Sequence, residues 1–150
     1  MILSMRFQYT FQKIVDLKNN ERTQAEWVLA DAIGKLRSEE EQLAELEDYK
    51  LRVQEQLVEV SSHKTTISEM LLMQHYVDQY SNRINAKHQS VQEAHHNVQN
   101  KQEYLTDKML EEKVWAKARE RAHHTYVGNL LHKEQLELDE MATNRFKKMS

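Results

Sequence analysis

Between residues 25 and 60, apolar side chains recur on alternating steps of three and four: Ala25, Leu29, Ala32, Leu36, Leu43, Leu46, Val53, Leu57 and Val60. Only Glu39 and Lys50 interrupt this ladder. A repeat averaging 3.5 residues keeps one stripe turned towards a partner helix as the two wind around each other. The positions between, among them Glu40, Glu41, Glu45, Glu47, Asp48 and Arg52, are charged and want water. The stretch is therefore one wall of a coiled coil, and the rest of the chain must supply the other.

What surrounds this wall allows little else. The 150 residues contain no proline and two glycines, where average usage would give roughly seven and ten. Proline breaks helix interiors and glycine weakens them. A chain with so few of either has few tight turns, which argues for long helices and against a compact α/β enzyme. Gly34 lies off the seam and is tolerated there, and Gly128 is a local weak point. There is no cysteine, so disulfide and thiol chemistry are excluded and a reducing compartment fits. No apolar run approaches the ~20 residues of a membrane span, and residues 1–10 do not resemble a secretory signal. A net charge of −3 disfavours general nucleic-acid binding.

The helix start is expected between Phe7 and Phe11, with Ser4 or Thr10 as cap. No breaker follows until the polar run at residues 61–66. That run ends in Thr66-Ile67-Ser68-Glu69, a capping-box pattern for a new helix. The expected architecture is all-α, an antiparallel two-helix coiled-coil hairpin with unequal arms. Helix 1 spans about 8–60, the turn 61–66, helix 2 about 67–146, and a tail 147–150, all in one domain. A continuous helix forming a long intermolecular dimer is the alternative.

The second seam is expected at Ile67, Met70, Gln74, Val77, Ser81, Ile84, His88, Val91, His95, Val98, Gln102, Leu105 and Met109, polar and apolar by turns from 74 to 105. With the turn centred near His63, Glu39 should face His88, Ala32 should face His95, and Tyr49 should lie opposite residue 78. Lys18 and Arg22 fall on the seam near the N-terminus, where a stutter is expected. Phe7 should pair near Glu120, leaving residues from about 121 onward without a partner. This overhang carries Tyr126, Val127, Leu130, Leu131, Leu138, Met141 and Phe146. Apolar residues on an unpaired helix imply another protein or self-association.

Eight histidines raise the question of a metal, but no two have the i, i+4 spacing by which one helix face chelates. Solvated or seam histidines are the better reading. No nucleophile–base constellation and no glycine-rich phosphate loop is present, so neither an enzyme nor a cofactor is expected. Trp27 and Trp115 should be packing residues. Tyr49, Tyr76 and Tyr80 should gather in one region, either broadening the seam or forming a partner-binding cluster.

The two ends carry a more specific signal. Phe7-x-Tyr9-x-Phe11-Gln12-Lys13-Ile14-Val15-Asp16-Leu17-Lys18 resembles the opening of the FliJ family of bacterial flagellar export proteins. The closing stretch, with Gln135, Asp139, Glu140, Ala142 and Arg145, resembles that family's Gln-x-x-x-Asp-Glu-x-Ala-x-x-Arg pattern. The resemblance implies a hairpin similar to the γ stalk of rotary ATPases. It implies insertion into the hexameric export ATPase, promotion of its assembly and activity, and contact with the membrane export gate. Export chaperones are further implied partners. The implied location is cytoplasmic, peripheral to the inner face of the cell membrane at the flagellar base.

By the same resemblance the ATPase-facing end comprises Phe7, Phe11, Leu130, Gln135, Leu138, Asp139, Glu140, Arg145 and Phe146. The gate-facing positions are Gln42, Leu46, Tyr49, Val53, Tyr76 and Tyr80. Val53 replaces the family's last tyrosine there, Tyr80 takes a leucine position, and Arg83 stands where a small residue is usual. The stalk of a virulence secretion system, a homodimeric tether and an accessory hairpin of unrelated origin are the competing readings.

Overall fold

The computed structural model describes residues 7–149. It consists of two helices, α1 (Gln12–Ser61, 50 residues) and α2 (Ile67–Met149, 83 residues). The fold is an all-α antiparallel hairpin, and the break at residues 62–66 excludes the continuous-helix alternative. No described helix is long and apolar enough to cross a membrane.

The turn is built from local hydrogen bonds. The Ser61 hydroxyl donates to the Val58 carbonyl (2.8 Å), an acceptor at the end of α1, and the Ser62 hydroxyl and backbone N–H both donate to the Glu59 carbonyl (2.6 and 3.2 Å). No described residue adopts a positive φ, so α1 ends without the left-handed cap many helices use. At the start of α2 the Thr66 hydroxyl accepts from the Glu69 N–H at 3.2 Å, which is the expected cap. The reciprocal half differs: the Glu69 carboxylate accepts from the Thr65 hydroxyl at 2.7 Å instead of reaching the Thr66 backbone. At the other end, α1 begins one residue after Phe11, with the Gln12 N–H donating to the Tyr9 carbonyl at 3.0 Å.

The chain divides into two compact units. The first comprises Met1–Thr23 with Thr106–Ser150, and the second comprises 24–105. In the second unit the whole expected α1 seam turns inward. Ala25 and Ala32 are buried, and the other nine positions, Glu39 and Lys50 included, are half-buried. Small residues sit where burial is deepest because alanine lets the backbones approach. On α2 the buried residues are Val77 and Ile84.

The α2 seam departs from expectation in a regular way. Its apolar members, Met70, Val77, Ile84, Val91, Val98 and Leu105, face inward as read. Between them the inward positions are Met73, Tyr80, Lys87, Ala94 and Lys101, each one residue before the expected Gln74, Ser81, His88, His95 and Gln102. Of those five only Ser81 is even half-buried, and its hydroxyl donates to the Val77 carbonyl at 2.9 Å. Ile67 and Met109 are exposed as well.

The physical reason is side-chain shape. An apolar residue every seventh position is served by an intermediate residue at either the third or the fourth step. The third-step residues carry a thioether, a phenol, an alanine and long lysine stems that cover apolar surface while keeping their charges wet.

Two expected pairs change as a consequence. Glu39 accepts a hydrogen bond from Lys87 Nζ at 2.9 Å, and His88 instead lies 3.7 Å from Glu47. His95 does not fill the space beside Ala32. It is largely exposed and lies 3.4 Å from Glu40.

In the first unit, residues 7–23 pack along α2. The Phe7 ring meets His123 edge-on at 4.8 Å and Tyr126 at 5.5 Å, and the Arg119 guanidinium stands 5.7 Å from its centre. Phe7 therefore reaches further along α2 than Glu120, as far as Tyr126 rather than stopping short of 121. Phe11 meets Trp115 at 5.9 Å and Tyr9 at 5.7 Å. Arg119 also donates to the Gln12 side-chain oxygen at 2.7 Å.

Candidate functional site

Among the described residues no three His, Asp or Glu side chains gather as metal ligands, and every titratable group with a resolved shift belongs to one surface ion-pair network. Three surface features stand out.

The first lies in the second unit, on the side of the seam where Tyr49 and Tyr80 meet. Their rings stack at 6.2 Å with an interplanar angle of 15°. The guanidinium of Arg52 stands 5.7 Å from the Tyr49 centroid and that of Arg83 stands 5.8 Å from the Tyr80 centroid. Such contacts hold long flexible cations against aromatic faces. Tyr80 is two residues beyond the position expected opposite Tyr49.

Gln42, Leu46, Tyr49 and Tyr80 line one open depression together with Arg83 and Lys87. Four of the six gate-facing positions inferred from sequence are thus brought together. Val53 is half-buried in the seam, and Tyr76 is exposed one turn before Tyr80 without joining the stack. The periodicity does not single out Lys87, because it sets this residue beside the seam. Lys87 donates to Gln42 Oε1 at 2.6 Å and so fixes that amide at the edge of the depression.

The second feature lies in the first unit, where charged residues occupy seam positions. Lys18 Nζ lies 3.1 Å from Glu111 and 3.4 Å from Glu21. Lys108 Nζ lies 3.3 Å from both carboxylates, and Arg22 pairs with Glu112. Hydrogen bonds from Lys18 and then Lys108 hold the Glu111 carboxyl below its ordinary value, against a smaller opposing effect of desolvation. The bond to Glu111 raises Lys18, and the bond to Glu21 raises Lys108. The periodicity puts Lys18 and Arg22 on the seam, but their acidic partners depend on a register it does not set.

The third feature is the stretch of α2 beyond Tyr126. Leu130 is half-buried, whereas Leu131, Leu138, Met141 and Phe146 are more than half exposed, Phe146 by 74%. Val127, Leu131, Leu138 and Met141 fall within one quadrant or so of the helix circumference at 100° per residue. Gln135 donates to Asp139 at 3.1 Å, and Thr143 donates to the Asp139 carbonyl at 2.9 Å. Glu140 and Arg145 are exposed. Of the ring-facing positions inferred from sequence, Phe7 is half-buried against α2, so much of its ring is already satisfied within the chain.

A two-helix hairpin with an aromatic depression on one unit and an exposed apolar helix face on the other is, in class, a coiled-coil protein. Its family follows from comparison with known proteins: the family described as flagellar FliJ protein matches residues 7–149, and the chain belongs to that family. The flagellar FliJ protein of Bacillus subtilis (strain 168) is 25% identical over 142 residues, covering 95% of this chain and 97% of that protein. Among solved structures, CT670 from Chlamydia trachomatis, described as a candidate YscO homologue, superposes with a TM-score of 0.71. It is 22% identical and is matched over 92% of this chain and 94% of its own. That likeness bears on the fold. The chain is a FliJ-family protein of flagellar, type III export.

Proposed function

We propose that this chain is the stalk of the flagellar type III export apparatus, a component without catalytic activity of its own. It would enter the central opening of the export ATPase hexamer, promote ring assembly and activity, and contact the membrane export gate. Export chaperones would be further partners, and the protein would sit at the inner face of the cell membrane at the flagellar base.

The observation that carries this reading is the run of exposed apolar side chains towards the end of α2. Exposed Leu131, Leu138 and Phe146 lie on the same unit as the Phe7 and Phe11 cluster. Each large apolar side chain left in water forgoes about 1.5–3 kcal/mol relative to burial, so a run of them on a well-formed helix favours an enclosing partner. A two-helix stalk has no six-fold symmetry and cannot contact six identical subunits alike. It therefore favours some nucleotide states of the ring over others, which is the thermodynamic content of coupling. The Tyr49–Tyr80 depression, with Gln42 and Leu46 at its edge, is the proposed gate-facing surface.

The test is ATP hydrolysis by the cognate export ATPase with and without this protein. Stimulation is expected, together with its loss in Leu138→Glu and its retention in Tyr80→Ala. Absence of both stimulation and co-purification overturns the reading.

A further inference from the structure

Beyond residue 130, α2 carries a line of side chains at alternating three- and four-residue steps: Leu131, Glu134, Leu138, Met141, Arg145 and Lys148. At 3.6 residues per turn the six fall within about a third of the helix circumference. Leu131, Leu138 and Met141 are more than half exposed, Arg145 and Lys148 are exposed, and Glu134 is half-buried. Elsewhere in the chain, charges on a seam are answered across it: Glu39 by Lys87, Lys18 by Glu111 and Arg22 by Glu112. Glu134 and Arg145 interrupt an apolar line in the same manner but have no ion-pair partner among the described residues.

A line of this kind takes another helix, and its two charges say which. Two copies laid antiparallel, with a twofold axis between Asp139 and Glu140, set Leu138 against Met141, Glu134 against Arg145 and Leu131 against Lys148, each contact made twice. Apolar layers then lie at the centre and an ion pair closes each side. The lysine stem covers the outer leucine while its ammonium stays wet. At the flanks Gln135 comes beside Ala142 and Glu137 beside Asn144, so no like charges meet there. Asp139, Glu140 and Phe146 lie off the line and stay outside the pairing. We infer that α2 beyond residue 130 pairs antiparallel with the same stretch of a second copy of this chain, in this one register.

Other arrangements of two copies lose the match. A parallel pair in register sets Glu134 against Glu134 and Arg145 against Arg145. A seven-residue slip of the antiparallel pair sets Arg145 against Val127 or Met141, which strands a charge on apolar surface. Polar residues on a seam fix register and orientation in this way, at some cost in stability. The inference concerns the chain by itself and does not require the stalk reading. Enclosure by a ring, as proposed above, would use the same face, so pairing and ring entry exclude each other.

The experiment is sedimentation equilibrium of the full chain, without the ATPase. Wild type is expected to pass from monomer to dimer as its concentration rises. E134R and R145E are each expected to raise the dissociation constant about tenfold or more, because like charges then face each other twice. The double exchange E134R/R145E restores opposite charges and should dimerise like wild type, and E134R mixed with R145E should form the heterodimer. Circular dichroism of the charge variants should show unchanged helix content. Because the chain has no cysteine, register is read with single substitutions. L131C mixed with K148C should give a disulfide-linked dimer under mild oxidation, whereas L131C alone should not, its two copies lying about 26 Å apart along the axis. A wild type that stays monomeric up to ~1 mM overturns the proposal. So does dimerisation of the single charge variants equal to wild type, failure of the double exchange to restore it, or self-linking of L131C, which requires parallel helices.

Discussion

Lys18 Nζ lies 3.1 Å from the Glu111 carboxylate, and Lys108 Nζ lies 3.3 Å from the same oxygen. One carboxylate thus bridges two ammonium groups, one from each helix, where an apolar layer would otherwise stand. Because Glu111 sits below its ordinary value of 4.5 in the folded chain, its contribution is complete above that value and is lost as pH falls through the folded pKa. Lys18 and Lys108 sit above 10.5, so theirs is complete below 10.5 and is lost as pH rises through their folded values. Amide protection of residues 12–23 should therefore hold across the intervening range and fall at both ends. In Glu111→Gln the acid limb should flatten, and added salt should lower protection more in wild type than in the variant. Identical acid limbs would refute the role given to Glu111.

Ile84 is one of only four buried apolar residues among those described, whereas Val58 is 71% exposed. Ile84→Ala removes packing from a thin core that collapses around part of the gap, so a loss near the low end of core truncations is expected, about 2 kcal/mol by chemical denaturation. Val58→Ala should stay within ~0.5 kcal/mol of wild type. Comparable losses for the two would mean that the seam is not where the stability lies.

How far the sequence could be read depended on how sharply each residue separated one face from another. On α1 nearly every seam position is apolar and nearly every flanking position is charged, so one phase fits and the structure adopts it. On α2 only Met70, Val77, Ile84, Val91, Val98 and Leu105 constrain the stripe, and a seven-residue period leaves the intermediate step open. Choosing His88 over Lys87 treated lysine as solvent-seeking throughout, although its four methylenes cover a seam well. The same one-residue choice misdirected Glu39 and Ala32 to histidine partners. The meeting of Tyr49 and Tyr80 was legible to within half a turn, because a hairpin brings those stretches together in almost any register. The stacking of Arg52 and Arg83 on them was not, since it is a matter of rotamers. Glu111 and Glu112 as partners of Lys18 and Arg22 were hidden for a third reason, because ion pairs across helices shift with a register that periodicity alone does not set.

The corrected phase separates Ala94 from His95, neighbours of opposite fate. Ala94 is half-buried on the seam and His95 is exposed. Ala94→Asp places a carboxylate against apolar stems with no designed partner, and a loss of about 2 kcal/mol is expected. His95→Ala removes only a surface contact to Glu40 and should change stability by less than ~0.5 kcal/mol. The reverse ranking by denaturation would restore the other phase.

Neither glycine has a structural reason to be glycine. A Cβ added at Gly34 or Gly128 meets nothing within 4 Å, and neither has a positive φ. Both lie inside helices, where glycine costs about 1 kcal/mol relative to alanine. Gly34→Ala should therefore raise stability by up to ~1 kcal/mol. Gly128→Ala should act chiefly on the helix beyond Tyr126, raising amide protection of residues 127–149 with a smaller effect on the global transition. A destabilising Gly34→Ala would mean that this face of α1 is occupied in solution.

The Thr66 hydroxyl accepts from the Glu69 N–H at 3.2 Å, and the Thr65 hydroxyl donates to the Glu69 carboxylate at 2.7 Å. The two threonines thus hold one acidic residue at the start of α2 from both its backbone and its side chain, and its charge also suits the positive end of the helix. Thr66→Ala exposes an unsatisfied amide and should cost about 1 kcal/mol. Thr65→Ala leaves that amide capped and removes only an exposed hydroxyl–carboxylate contact, so a few tenths of a kcal/mol is expected. Asparagine at 66 preserves an acceptor at the cap and should restore most of the loss, whereas valine, which keeps the shape without the oxygen, should not. If valine rescues as well as asparagine, packing at the turn rather than hydrogen bonding sets where α2 begins.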